Sequence, residues 1–172
     1  MGRNAVLTVV RRGFTMIELV IVMVILGIAA AIVVPMASSA GSMQVRAAVN
    51  MVAADLEYAK SMSISRGQRY SVVVDKATET YRIIDESGTT IPHPVKKGFL
   101  YTIDFRADSR ISQVDIFDVS FDGTNLVSFD YLGSPFNGTG TSLNSGVITL
   151  RAGGITRTVS VEPVTGYVSI SN

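Results

Sequence analysis

Cysteine is absent from the 172 residues, which excludes disulfides, thiolate metal sites and lipoprotein-type acylation in one stroke. An exported domain of such a chain holds its fold by core packing alone. Histidine occurs once, at His93 between Pro92 and Pro94, a setting that reads as an exposed loop rather than a base or ligand. Charge is scarce as well: 17% of residues are charged and the formal net charge is +1, so no basic patch of the kind that binds nucleic acid is present. No G-x-S-x-G, P-loop or H-E-x-x-H motif occurs. Gly138-Thr139-Gly140 lacks the strand–helix context of a phosphate loop and reads as flexible loop. Asp122, Asn125 and Asp130 could supply oxygens to calcium, yet no run has the dense alternating acids of a calcium loop, and an Asp-Gly hairpin turn explains them more simply. Asn137-Gly138-Thr139 matches a glycosylation sequon, a three-residue pattern common by chance. The chain therefore reads as a non-enzyme without cofactor or metal.

What is abundant is apolar sequence, 47% of residues, and it is unevenly spread. From Met16 to Val34, nineteen consecutive positions carry one charge, Glu18. That length matches a hydrocarbon core of about 30 Å at about 1.5 Å per helical residue. Residues 1–13 precede it with Arg3, Arg11, Arg12 and no acid, which places the N-terminus in the cytoplasm and the rest outside. A secretory signal cut near Ala29-Ala30-Ala31 fits poorly. The run exceeds the usual apolar core of about 7–15 residues, continues into a second helical pattern, and holds a carboxylate near its start. An acid inside a membrane segment is a functional candidate by default.

Four zones follow: 1–13, a basic leader; 14–36, the apolar run with Pro35 as a possible kink; 37–66, an amphipathic helix; and 67–172, a β domain. Val45, Val49, Val52, Leu56 and Ala59 recur at steps of four, three, four and three, drawing one apolar stripe. Ser38-Ser39-Ala40-Gly41-Ser42 is a poor helix former and a candidate soft joint. After Arg69 the period changes to two. Strands are predicted over 70–75, 80–85, 99–105, 115–122, 126–131, 147–151, 155–161 and 167–170. Asp122-Gly123 signals a hairpin joining 115–122 to 126–131. A Gly/Ser/Asn-rich loop fills Ser134 to Gly146. The predicted class is α+β, one long N-terminal helix packed on an antiparallel sheet. The exposed sheet face and the Ser134–Gly146 loop are candidate partner surfaces, and exchanging that loop for a Gly-Ser linker is expected to spare folding.

The text Arg12-Gly13-Phe14-Thr15-Met16-Ile17-Glu18-Leu19 closely resembles the processing signal of type IV pilins and type II secretion pseudopilins. Met16 stands where leucine is more usual, a conservative difference. The resemblance implies that a prepilin peptidase cuts after Gly13 and methylates the new N-terminal Phe14. It implies that Glu18, fifth in the mature chain, sets the register of assembly by meeting the N-terminal amine of a neighbouring subunit. Pro35 becomes position twenty-two, where the family commonly has proline. Further along, Leu56–Ser61, Ser65-Arg66-Gly67, Phe129–Gly133 and Thr165–Val168 resemble the GspH/FimT group of minor pseudopilins and minor pilins.

Three functions follow in order. The first is a structural subunit, a minor pseudopilin of a type II secretion system. The second is a minor or major type IV pilus subunit serving adhesion, motility or DNA uptake. The third is a membrane-anchored enzyme or binding domain on a pilin-type anchor. The first implies as partners the prepilin peptidase, other pilin-like subunits through the N-terminal helix, and an inner-membrane assembly platform. It implies a single pass through the bacterial inner membrane, with the C-terminal domain periplasmic and then in a filament.

Overall fold

One helix, α1, runs from Met16 to Arg66. The computed structural model describes residues 14–171, and the side chains of residues 32–40 are outside that description. Gly13 and the leader lie outside the described residues, and α1 runs through Pro35, whose side chain is outside the description. The chain divides into two units at Ala37/Ser38. In the first, every side chain from Phe14 to Ala31 is exposed. Among the described residues no helix is long and apolar enough to cross a membrane.

In the second unit the helix ends as its sequence dictates. Gly67, at φ +65, takes the left-handed position that closes a helix, and its N–H donates to Ser63 O at 3.0 Å. The predicted stripe of Val45, Val49, Val52, Leu56 and Ala59 is buried in full, joined by Ala48. The predicted α+β class is the one observed: α1 packs on antiparallel strands.

Nine strands follow: β1 Tyr70–Asp75, β2 Thr80–Ile84, β3 Thr102–Asp104, β4 Asp115–Phe121, β5 Leu126–Phe129, β6 Pro135–Asn137, β7 Gly146–Ala152, β8 Ile155–Val161 and β9 Val168–Ser171. They form two sheets, ordered β3-β2-β1-β5-β6 and β4-β7-β8-β9, where one sheet was predicted. Alternation sends Val72, Val74, Tyr81, Ile83, Val127 and Phe129 from the first sheet, and Ile116, Phe121, Ile148, Leu150, Val159 and Val161 from the second, into one core with the helix stripe.

Three corrections have physical causes. The Asp122-Gly123 turn forms, with both residues at positive φ and paired Phe121–Thr124 backbone bonds of 2.8 and 3.1 Å. Its flanking strands nevertheless part company, β4 to β7 and β5 to β1, because pairing with β1 lets Val127 and Phe129 reach the core. The predicted strand 99–105 shrinks to Thr102–Asp104. Ahead of it the chain doubles back on itself, with His93 N donating to Phe99 O at 2.8 Å and Tyr101 N to Ile91 O at 2.7 Å. The Ser134–Gly146 segment is no free loop. It holds β6, and Leu143 is buried while its N–H donates to Pro135 O at 3.0 Å. Exchange for a Gly-Ser linker would remove a strand and a core side chain, so the expectation that folding is spared does not hold.

Candidate assembly site

The N-terminal end of α1 is organised by Thr15 and Glu18. Thr15 Oγ1 accepts from the Glu18 N–H at 3.3 Å, and the Thr15 N–H points back at Glu18 Oε2 at 3.5 Å. The first helical bond, Leu19 N to Thr15 O, is 3.2 Å. This is a capping box, Thr-x-x-Glu, which satisfies two of the donors that a helix start leaves unpaired. A carboxylate there is also favoured by the helix dipole. The Thr-x-x-Glu spacing is readable in the sequence, and the cap it makes is additional to the register role that the processing-signal resemblance implies for Glu18. Phe14 is exposed immediately before the box. Glu18 engages through Oε2, and the carboxylate has room to meet a cation from outside the chain.

In the domain, one carboxylate ties the helix to the first sheet. Asp55, on α1, accepts from Tyr81 Oη at 2.5 Å and from Tyr101 Oη at 2.8 Å. Tyr81 is set in β2 and Tyr101 stands just before β3. Burial raises the Asp55 carboxyl above its ordinary value, outweighing the two phenol bonds and the nearby His93 that pull it down. Burial and the facing carboxylate push both tyrosines up. The same ring, Tyr101, is stacked between Tyr58 at 5.5 Å and His93 at 4.6 Å. His93 is thus half-buried where exposure was expected, and its Nδ1 accepts from the N–H groups of Val95 and Lys96, both at 3.1 Å. It is a packing residue whose acceptor nitrogen is used to hold a turn.

A test follows from Asp55. The folded state binds its proton more tightly than the unfolded chain does, so this group's contribution is full below the ordinary carboxylate range. It is lost as pH rises through the raised folded value. Asp55→Asn is expected to flatten stability against pH across that window, with urea midpoints at about pH 4 and about pH 7 as the readout. Asp55→Ala is expected to destabilise at both, by about 1–3 kcal/mol for each hydroxyl left unpaired.

At the far end of the helix, Lys60 Nζ bonds Glu57 Oε1 and Gly166 O, each at 2.9 Å, while Glu57 Oε1 also accepts from Val168 N at 3.2 Å. Gly166 has φ +58, and a Cβ there would lie 2.6 Å from Gly133 O, so only glycine lets the turns 130–133 and 163–166 touch. That contact gives the Phe129–Gly133 and Thr165–Val168 patterns a structural reason. The carboxylates of Asp122 and Asp130 accept bonds from their own loops, and the Asn125 side chain is tied to β1. Asp122 accepts from the N–H groups of Asn144 and Ser145, both at 2.9 Å. Asp130 Oδ1 accepts from Leu132 N and Ser134 N, and Asn125 Nδ2 donates to Val74 O. Among the described residues no group of three or more His, Cys, Asp or Glu could hold a metal ion. Asn137 is 6% exposed, with Oδ1 accepting from Thr139 N and Thr141 N. The sequon is therefore closed to a sugar in the folded chain.

Two family models match. The prokaryotic N-terminal methylation motif covers residues 10–34, which include Gly13, Phe14 and Glu18. The model of type II transport protein GspH covers residues 48–165, more than half of the chain. The chain belongs to the GspH family. Among curated proteins none matches it. Among solved structures, the minor pseudopilin EpsH from the type 2 secretion system of Vibrio cholerae is similar at a TM-score of 0.54 and 10% identity, over 74% of this chain and 96% of that one. The type IV minor pilin FimU of Pseudomonas aeruginosa gives a TM-score of 0.48 at 18% identity, over 74% and 88%. At such identities the likeness to EpsH is one of fold.

Proposed function

We propose that this GspH-family chain works as a minor pseudopilin of a type II protein secretion system, a structural subunit that does mechanical work in a filament and no chemistry. One observation carries the reading: a methylation motif over residues 10–34 stands in the same chain as a GspH domain over residues 48–165. In this reading Arg3, Arg11 and Arg12 keep the leader cytoplasmic. A prepilin peptidase cuts after Gly13 and methylates Phe14, removing all three leader charges and freeing an α-amine. The exposed apolar side chains from Phe14 to Ala31 are then covered by lipid and by helices of neighbouring subunits. Gly27 and Ala29–Ala31 permit close helix approach. An unpaired amine and an unpaired carboxylate are each costly at low dielectric and much less so together, which gives Glu18 its role in register. The domain from residue 38 onward lies in the periplasm, and an assembly platform in the inner membrane inserts the subunit.

The direct test is the mass of the chain recovered from membranes. It should correspond to residues 14–172 plus one methyl group. An intact Met1, or a start at Ile32, would overturn the processing. Deletion of the chain should abolish export of the machine's folded substrates while leaving surface pili intact, and the opposite pattern would favour the pilus.

A further inference from the structure

His93 holds a turn through the one atom that a proton would take from it. Pro94 follows it and carries no N–H, so the first donors after His93 belong to Val95 and Lys96. Both donate to His93 Nδ1 at 3.1 Å. A side-chain acceptor that takes the N–H groups two and three residues on is ordinarily the oxygen of Asn or Asp. Here an imidazole nitrogen does the work. A nitrogen that accepts two such bonds carries no proton, so the ring is neutral with its hydrogen on Nε2.

A proton on Nδ1 turns that acceptor into a donor facing two donors, and both bonds are lost. A ring flip gives no escape, because it puts a carbon where Nδ1 stood. The closed turn therefore excludes the proton that the open turn accepts, and acid favours the open turn. The surroundings act in both directions. Lys96 and Lys97, both exposed in the same turn, make an imidazolium the third positive charge within residues 93–97. Asp55, on α1, attracts that charge, but burial raises its carboxyl, so acid weakens the attraction as well. Asp108 faces Lys96 and is held chiefly by Arg110. Tyr101, stacked on the ring at 4.6 Å, and Tyr58 behind it complete the set, with Tyr81 bonded to Asp55.

We infer that His93 is a proton-operated clasp, which holds the turn of residues 93–96 shut at neutral pH and releases it in mild acid. The proton comes from solvent and goes to Nδ1, and only the two hydrogen bonds break. Release is local. The backbone bonds from His93 N to Phe99 O at 2.8 Å and from Tyr101 N to Ile91 O at 2.7 Å do not involve the imidazole, so the ends of the excursion stay tied. What changes is the order of the apolar side chain it carries, Val95, which is 82% exposed. The clasp stands on the chemistry of this turn and does not depend on the pseudopilin reading.

Two absences make the test clean. His93 is the only histidine, so the imidazole signals of the ¹⁵N-histidine-labelled full chain in detergent micelles report on it alone. Cysteine is absent, so Val95→Cys takes a single spin label. Near neutral pH, Nδ1 should be the bare nitrogen of the ring. Between about pH 7.5 and about pH 5, the range in which histidine titrates, the label should loosen in step with imidazole protonation. The ratio of ordered to mobile label should fall roughly tenfold, as expected for two lost hydrogen bonds. His93→Asn restores an acceptor that does not titrate, so its label should stay ordered at both pH values, while His93→Ala should be mobile at both. A label at Asn50→Cys, exposed on α1, should not respond. A proton on Nδ1 at neutral pH, a label that does not follow the imidazole, or a pH response that persists in H93N would each overturn the clasp. Should H93N fail to fold, the chain with His93 decides by itself: label and imidazole titrate together, or the clasp is wrong.

Discussion

Glu18→Ala should be inserted, cut after Gly13 and methylated at Phe14, yet be almost absent from filaments. Two effects contribute, and they differ in size. Loss of the capping box with Thr15 costs about 1 kcal/mol at a helix start. Leaving a neighbour's α-amine unpaired at low dielectric costs about 3–5 kcal/mol, which is roughly a hundredfold to several thousandfold in association. Two further variants separate them. Thr15→Ala removes the cap and keeps the charge, so it should assemble nearly normally. Glu18→Gln keeps a capping-box side chain and removes the charge, so it should fail like Glu18→Ala. The fraction of mature chain captured in crosslinked filament ladders is the measurement. Normal incorporation of Glu18→Gln would reduce Glu18 to a helix cap.

The second large effect is expected at Leu56. It is fully buried in the stripe that joins α1 to the core, and the residues of that core lie between Val45 and Val161, inside the unit that starts at Ser38. Leu56→Ala should lower unfolding free energy by about 2–5 kcal/mol, the transfer loss plus the cavity left behind. Against a total of about 5–15 kcal/mol that is enough to unfold much of the domain on mild heating. Asn50→Ala, exposed on the same helix, should change stability by no more than about 0.5 kcal/mol. Urea unfolding of both variants decides it. A Leu56→Ala loss no larger than that of Asn50→Ala would mean that the stripe does not anchor the helix.

The N-terminal segment and the helix were legible because their information is local. A processing motif is a run of neighbours, and an amphipathic stripe repeats every three to four residues, so Val45, Val49, Val52, Leu56 and Ala59 could be placed on one face before any fold was known. Strands β1, β2 and β8 were legible for the same reason, through period-two runs of β-branched and aromatic residues. So was the Asp122-Gly123 turn, which needs only two residues at positive φ.

Partner choice was not legible. Whether β5 follows its own turn back to β4 or crosses to β1 depends on which edge buries Val127 and Phe129, and that edge is built by residues some fifty positions away. For the same reason a Gly- and Asn-rich stretch that looked like loop holds β6 and, after it, the buried Leu143. The Asp55 carboxylate illustrates the rest: its two partners lie 26 and 46 residues off, and no spacing rule connects them.

The apolar run that the sequence singled out thus gains one thing from the structure, a reciprocal cap between Thr15 and Glu18. Sequence alone determined which segment is apolar, where a methylation motif stands and which helix face is buried, since each of these is written in adjacent or periodic residues. Tertiary structure alone decided the split into two sheets and the Asp55 tie, because each depends on backbone edges and side chains brought together from distant parts of the chain.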